Sequence, residues 1–267
     1  MLAISSISNL FRKGKGQTLF FILFFLWVVL IFALKTFKFP VSESIYFVNA
    51  IHSFQSMIHT PWHTPLYLWV IFGLKHLLTD PIMGAQLGGL LSLYALGILV
   101  FIYARKQGWM PILSWVLPII LTLFPPLYNS MFLIDIDNTI LMPVLFYFIL
   151  FVSVEGVGMR ALISWLVLIF WIKEVVIFPI IVYLLVVAIS QQGLEKGFLY
   201  WLKTTLSTLF ICFLSYGLYS QFVFHGWGAF AEIFDRMLVT FSPKEHTPLI
   251  VYVQRCSSFI IWGTPLF

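Results

Sequence analysis

The chain has 267 residues, of which 61% are hydrophobic and 9% charged, with a mean hydropathy of +1.01. So little polar surface excludes a soluble globule of this length and makes lipid the solvent. The formal net charge of +5 is explained first by basic cytoplasmic loops of a membrane protein, so nucleic acid is not a partner to expect.

Taken in chain order, the first apolar run, Leu19 to Leu34, follows Arg12, Lys13 and Lys15. Lys35, Thr36 and Phe37 form no small-residue cleavage site, so this is an uncleaved first helix with a cytoplasmic N-terminus. Further spans are expected at Met83 to Ala104, Met110 to Pro126, Asn138 to Val154 and Trp201 to Val223. The run from Ala161 to Ser190 is too long for one untilted span and is interrupted by Lys173-Glu174. It reads as two short helices joined at the charged pair, the second bent at Pro179.

Thr64 to Leu78 is apolar but short, and parity decides its path. If it does not cross, Arg105, Lys106, Arg160, Lys196 and Lys203 share the cytoplasmic side with Arg12, Lys13 and Lys15. It is therefore expected as an interfacial helix on the outer face, with Trp62, Tyr67 and Trp69 at headgroup level. The fold class is all-α: a polytopic bundle of about seven membrane helices with outer-face interfacial helices. Residues 1–223 form the transmembrane module, with outer loops at 36–82 and 127–137. Residues 224–267 form an outer-face amphipathic segment and the start of a further apolar run, as if the chain were truncated.

This topology gathers the acidic breaks on the outer side. Glu43, in Ser42-Glu43-Ser44-Ile45-Tyr46, is either a solvated loop acid or a general base tuned by partial burial. His63 opens His63-Thr64-Pro65-Leu66-Tyr67, where Pro65 suits the first turn of a helix; it is a helix-entry residue or a phosphate donor. Asp137 is a helix N-cap candidate ahead of Asn138, while Asp135 has no such structural role. Lys173 and Glu174 would be costly against lipid, so protein buries them, either as an internal ion pair or as a site. His52, His59 and His76 fit the headgroup region better than a metal site. Cys212 and Cys256 have no disulfide or metal-ligand spacing.

The order of these motifs, an acid with Tyr46, then His63-x-Pro65-Leu66-Tyr67, then Asp135 and Asp137, resembles the GT-C superfamily of membrane glycosyltransferases, of the protein mannosyltransferase and aminoarabinose transferase kind. The resemblance covers roughly residues 18 to 190, and Ser42-Glu43 stands where the family usually carries Asp, often Asp-Glu. It implies transfer of a sugar from a polyprenyl-phosphate donor to a lipid, glycan or protein hydroxyl at the outer face of a bacterial inner membrane. It implies catalytic roles for Glu43, Asp135 and Asp137, which would also hold Mg²⁺ or Mn²⁺, and substrate contacts from His63, Tyr67, Lys173 and Glu174. The alternative is a non-catalytic or degenerate membrane protein that carries a lipid or solute, supported by Ser42 in place of an acid.

Overall fold

The computed structural model describes residues 15–35, 52–58, 65–78, 80–123, 136–153 and 157–241. They form ten α-helices: α1 Lys15–Lys35, α2 Phe54–Ile58, α3 Leu66–Leu78, α4 Pro81–Lys106, α5 Pro111–Leu123, α6 Ile136–Tyr147, α7 Met159–Ile172, α8 Ile177–Gln192, α9 Leu194–Phe224 and α10 Gly228–Phe241. A π turn, Phe148–Val152, continues α6, and a 3-10 turn, Glu174–Val176, joins α7 to α8. No strand occurs among the described residues, so the all-α expectation holds. Four helical segments are long and apolar enough to cross a membrane: Gly16–Ala33, Ile82–Lys106, Glu174–Gln192 and Leu194–Phe224. Four shorter apolar helices accompany them: Leu66–Leu78, Pro111–Leu123, Ile140–Val152 and Met159–Ile172.

Local sequence explains the helix limits. Asp80 caps α4 by accepting the Ile82 amide at 2.7 Å, and Pro81 fills the first helical position, where its missing N–H costs nothing. Arg105 and Lys106 close the same helix, and Gly108, at φ +72°, supplies the left-handed turn that follows. Pro179 is the third residue of α8 rather than a bend within it. First-turn amides have no partner in the helix, so a proline there costs no helical hydrogen bond.

The helices alternate in direction around α4. Phe20 stacks on Phe101 at 4.1 Å, and the ring of Phe24 lies against Gly97, so α1 and α4 run antiparallel. The Trp27 indole donates to Thr122 at 2.9 Å and Phe20 meets Trp115 at 5.3 Å, so α5 runs parallel to α1. Tyr103 and Phe151 meet at 6.0 Å, which brings the end of the α6 π turn to the end of α4. Lipid tails are as apolar as these side chains, so the bundle is held by ring packing, close backbone approach and interhelical hydrogen bonds rather than by exclusion of water. Two core clusters result, one around Phe20, Phe24, Leu93 and Phe101, the other around Tyr67, Ile71, Leu166 and Tyr216.

Depth can be read from register. Lys75 and Ile71 of α3 face Gly84 and Gly88 of α4, in antiparallel contact so close that a Cβ on Gly84 would lie 2.8 Å from the Lys75 backbone. Carrying that register about one and a half turns back puts Leu66 level with Leu93, itself level with Val28 near the middle of α1. The short helix α3 therefore dips beside the first half of α4. Trp69 is exposed, but Tyr67 is wholly buried in the core. The reason is this packing along α4, which a reading of α3 as a helix lying flat at the interface does not contain.

Candidate functional site: the tip of a helix hairpin

The chain reverses at Lys173. Met159 and Leu162 at the start of α7 line the same cavity as Ala188 and Gln191 at the end of α8, so the two short helices form a hairpin with the charged pair at its tip. Lys173 leaves the helix with extended φ −156° and ψ 104°, its amide donating to the Ile169 carbonyl at 2.9 Å. The 3-10 turn follows, closed by the Val176 amide on the Lys173 carbonyl at 3.3 Å. Glu174 has no exposed surface and Lys173 is half-buried, so the pair expected between two short helices is indeed sheltered by protein.

An aromatic group braces this tip. The Trp171 indole donates to Ser215 Oγ at 3.1 Å, and Ser215 in turn donates to the Cys212 carbonyl at 3.0 Å. The Trp171 ring meets Trp69 at 6.1 Å and Tyr219 at 5.5 Å. The Tyr219 hydroxyl donates to the Ile58 carbonyl at 3.0 Å, tying α9 to α2. Beyond α9 the chain turns through His225, at φ +55°, with Ser220 Oγ donating to the Gly226 carbonyl and accepting the Phe230 amide. That turn lays the amphipathic helix α10 against the 3-10 turn, with Ala229 and Ile233 buried.

The start of α6 reaches the same level. Tyr147 packs on Trp165 at 5.0 Å in an antiparallel pair, and carrying the register seven residues along each helix brings Ile140, near the start of α6, level with Ile172 at the end of α7. The first turn of α3 stands beside the tip through Trp69. Asp137 is the second residue of α6 rather than its cap. The helix begins at Ile136, two residues earlier than the Asp-Asn pair implied. Asp135, Glu43 and His63 lie outside the described residues. Among the described residues no group of three or more His, Cys, Asp or Glu comes together that could hold a metal.

The aromatic brace escaped sequence reasoning, although Trp171, Tyr216 and Tyr219 each sit near a charged or polar break. So did a cavity at the opposite end of the hairpin, where Ser153, Gln191, Tyr200 and Thr204 line a space of about 270 Å³. Those residues sit at the ends of apolar runs and in the connections between them. The arrangement defines an all-helical, polytopic membrane protein in which several helix starts meet a buried, charged hairpin tip. No family model, curated protein or solved structure matches the chain.

Proposed function

We propose that this protein transfers a sugar from a polyprenyl-phosphate donor to an acceptor hydroxyl at the outer face of the membrane. The observation that carries the reading is the convergence of the starts of α3 and α6 with the Lys173–Glu174 tip at one level of the bundle. Asp135 directly precedes α6. Arg105, Lys106, Arg160 and Lys196 gather at the other end of the helices, and the positive-inside rule assigns that end to the cytoplasm.

In this reading Glu43 takes the acceptor proton, and Lys173 with His63 meets the departing phosphate, whose charge is stabilised most by fixed donors in a water-poor site. Glu174 supports the tip from within the protein, and Tyr67 anchors α3 from within the core. Carboxylates of Glu43, Asp135 and Asp137 suit Mg²⁺ or Mn²⁺, which would neutralise phosphate charge. No nucleotide-binding glycine loop is found in the sequence, which favours a lipid-linked donor.

The test is transfer by purified protein from a panel of polyprenyl-phosphate sugars, with and without EDTA. Glu43→Gln is expected to lower the rate by ~10²–10⁴-fold at unchanged folded yield. Wild-type turnover in that variant would return Glu43 to a solvated loop acid. Donor binding without turnover by the wild-type chain would favour the carrier reading, for which Ser42 in place of the family's acid speaks.

A further inference from the structure

At the basic end of the bundle the α7–α8 hairpin opens on a cavity of about 270 Å³, walled by Val152, Leu162, Leu184 and Ala188 and lined in its polar part by Ser153, Gln191, Gln192, Tyr200 and Thr204. Specific pockets for whole small molecules run from about 300 to 1,000 Å³, so this one suits a headgroup-sized occupant. Among the described residues its lining holds amides and hydroxyls but no carboxylate and no charge. An acyl chain there would leave those polar groups unpaired.

Several of the hydrogen-bonding groups are already committed. Ser153 Oγ donates to the Ile149 carbonyl at 2.8 Å and meets the Tyr183 hydroxyl at 3.0 Å. Gln191 Nε2 donates to the Ser153 carbonyl at 3.3 Å, and Thr204 donates to the Tyr200 carbonyl at 2.9 Å. What remains for a ligand includes the Gln191 carbonyl oxygen and the whole amide of Gln192, a mixed donor and acceptor set that matches hydroxyl groups.

Charge stands at the rim. Lys196 lies one turn before Tyr200 on the same face of α9, Arg160 follows the cavity residue Met159, and both are exposed. Glu195 stands about 100° round the helix from Lys196. A hydroxyl-matching pocket with Lys196 and Arg160 at its rim selects a group that has hydroxyls inside and a phosphate outside. Cationic headgroups would be repelled by the same two charges.

We infer that this cavity binds the headgroup of a polyhydroxylated anionic phospholipid, of the phosphatidylglycerol type, from the leaflet at the basic end. The glycerol hydroxyls pair with Gln191 and Gln192, and the phosphate sits between Lys196 and Arg160. The inference is independent of the glycosyl-transfer reading.

The experiment reconstitutes the full chain in nanodiscs holding phosphatidylcholine mixed with phosphatidylglycerol or with phosphatidic acid, and weighs the retained lipid by native mass spectrometry. The wild type is expected to retain phosphatidylglycerol over phosphatidylcholine by about tenfold beyond the bulk ratio. Gln192→Leu and Lys196→Ser, both at exposed positions that the fold does not need, are each expected to bring that enrichment close to one. Phosphatidic acid, which has the charge without the glycerol, should be retained several-fold less. Equal retention of phosphatidic acid, unchanged enrichment in both variants, or thermal stabilisation by sn-glycerol 3-phosphate free in solution would each overturn the assignment.

Discussion

Gly97→Ala offers the sharpest test of how this bundle is held together. A Cβ at position 97 would lie 2.1 Å from Phe24 Cζ and 2.2 Å from Cε1. Ordinary contact begins near 3.4 Å, so the ring must retreat by more than 1 Å. It has little room to do so. Phe24 is 2% exposed, stacked 5.5 Å from Phe20 on one side and 5.9 Å from Tyr94 on the other. Overpacking of this kind costs about 1–3 kcal/mol, which in a chain of this size is a fall of roughly 2–12 °C in midpoint. Gly73→Ala is the control, since nothing stands within 4 Å of its added carbon. It should be neutral or stabilising by about 0.5–1 kcal/mol, because alanine restricts the unfolded chain and suits a helix. Adding Phe24→Leu to Gly97→Ala should restore most of the loss, a non-additivity that a double-mutant cycle in detergent unfolding would measure. If Gly97→Ala unfolds with the same midpoint as Gly73→Ala, the α1–α4 seam is not packed as described.

Lys173→Met is expected to weaken binding of a polyprenyl-phosphate sugar with little change in stability; a fall of about 3–5 kcal/mol rescued by adding Glu174→Gln, with donor affinity unaltered, would instead assign the lysine to neutralising Glu174. Trp201→Phe removes the indole donor that meets the Ile181 carbonyl at 2.7 Å across α8 and α9, and should cost about 0.6–2 kcal/mol in detergent unfolding. Asp80→Ala removes the cap of α4 and should cost about 0.5–2 kcal/mol, whereas Asp80→Asn should keep most of it. Cysteines introduced at positions 80 and 108, in a chain lacking Cys212 and Cys256, should label from opposite sides of the membrane. Labelling of both from one side would undo the passage of α4.

The break at Lys173-Glu174 was legible because two adjacent charges in an apolar run have few tolerated solutions in lipid, and both the reversal and the burial of Glu174 follow from that. The short length of Thr64 to Leu78 was equally plain, and α3 is a helix of 13 residues. Where α3 lies was not legible, since its dip along α4 depends on Gly84 and Gly88 meeting Lys75 and Ile71, a match between distant segments that no local pattern encodes. Tyr67 moved from the interface to the core for that reason. The place of Pro179 in the first turn of α8 depends on where the 3-10 turn ends, which the uniform apolar run around it does not mark. The cavity at the basic end was invisible because its walls come from four segments whose residues, taken singly, look like loop margins.

The lengths of the helices have a bearing on the surrounding membrane. With 13 residues, α5 is about 20 Å long, and α7, with 14, about 21 Å, against a hydrocarbon core of about 30 Å. The 31 residues of α9 reach about 46 Å. Only residues 204–224 of α9, about 31 Å, lie beyond its last charge at Lys203, so the mismatch has one sign and the bilayer thins against the short helices. Lipid acyl length becomes a control variable for this protein, with short chains relieving strain beside the hairpin and bringing its charged tip nearer to water.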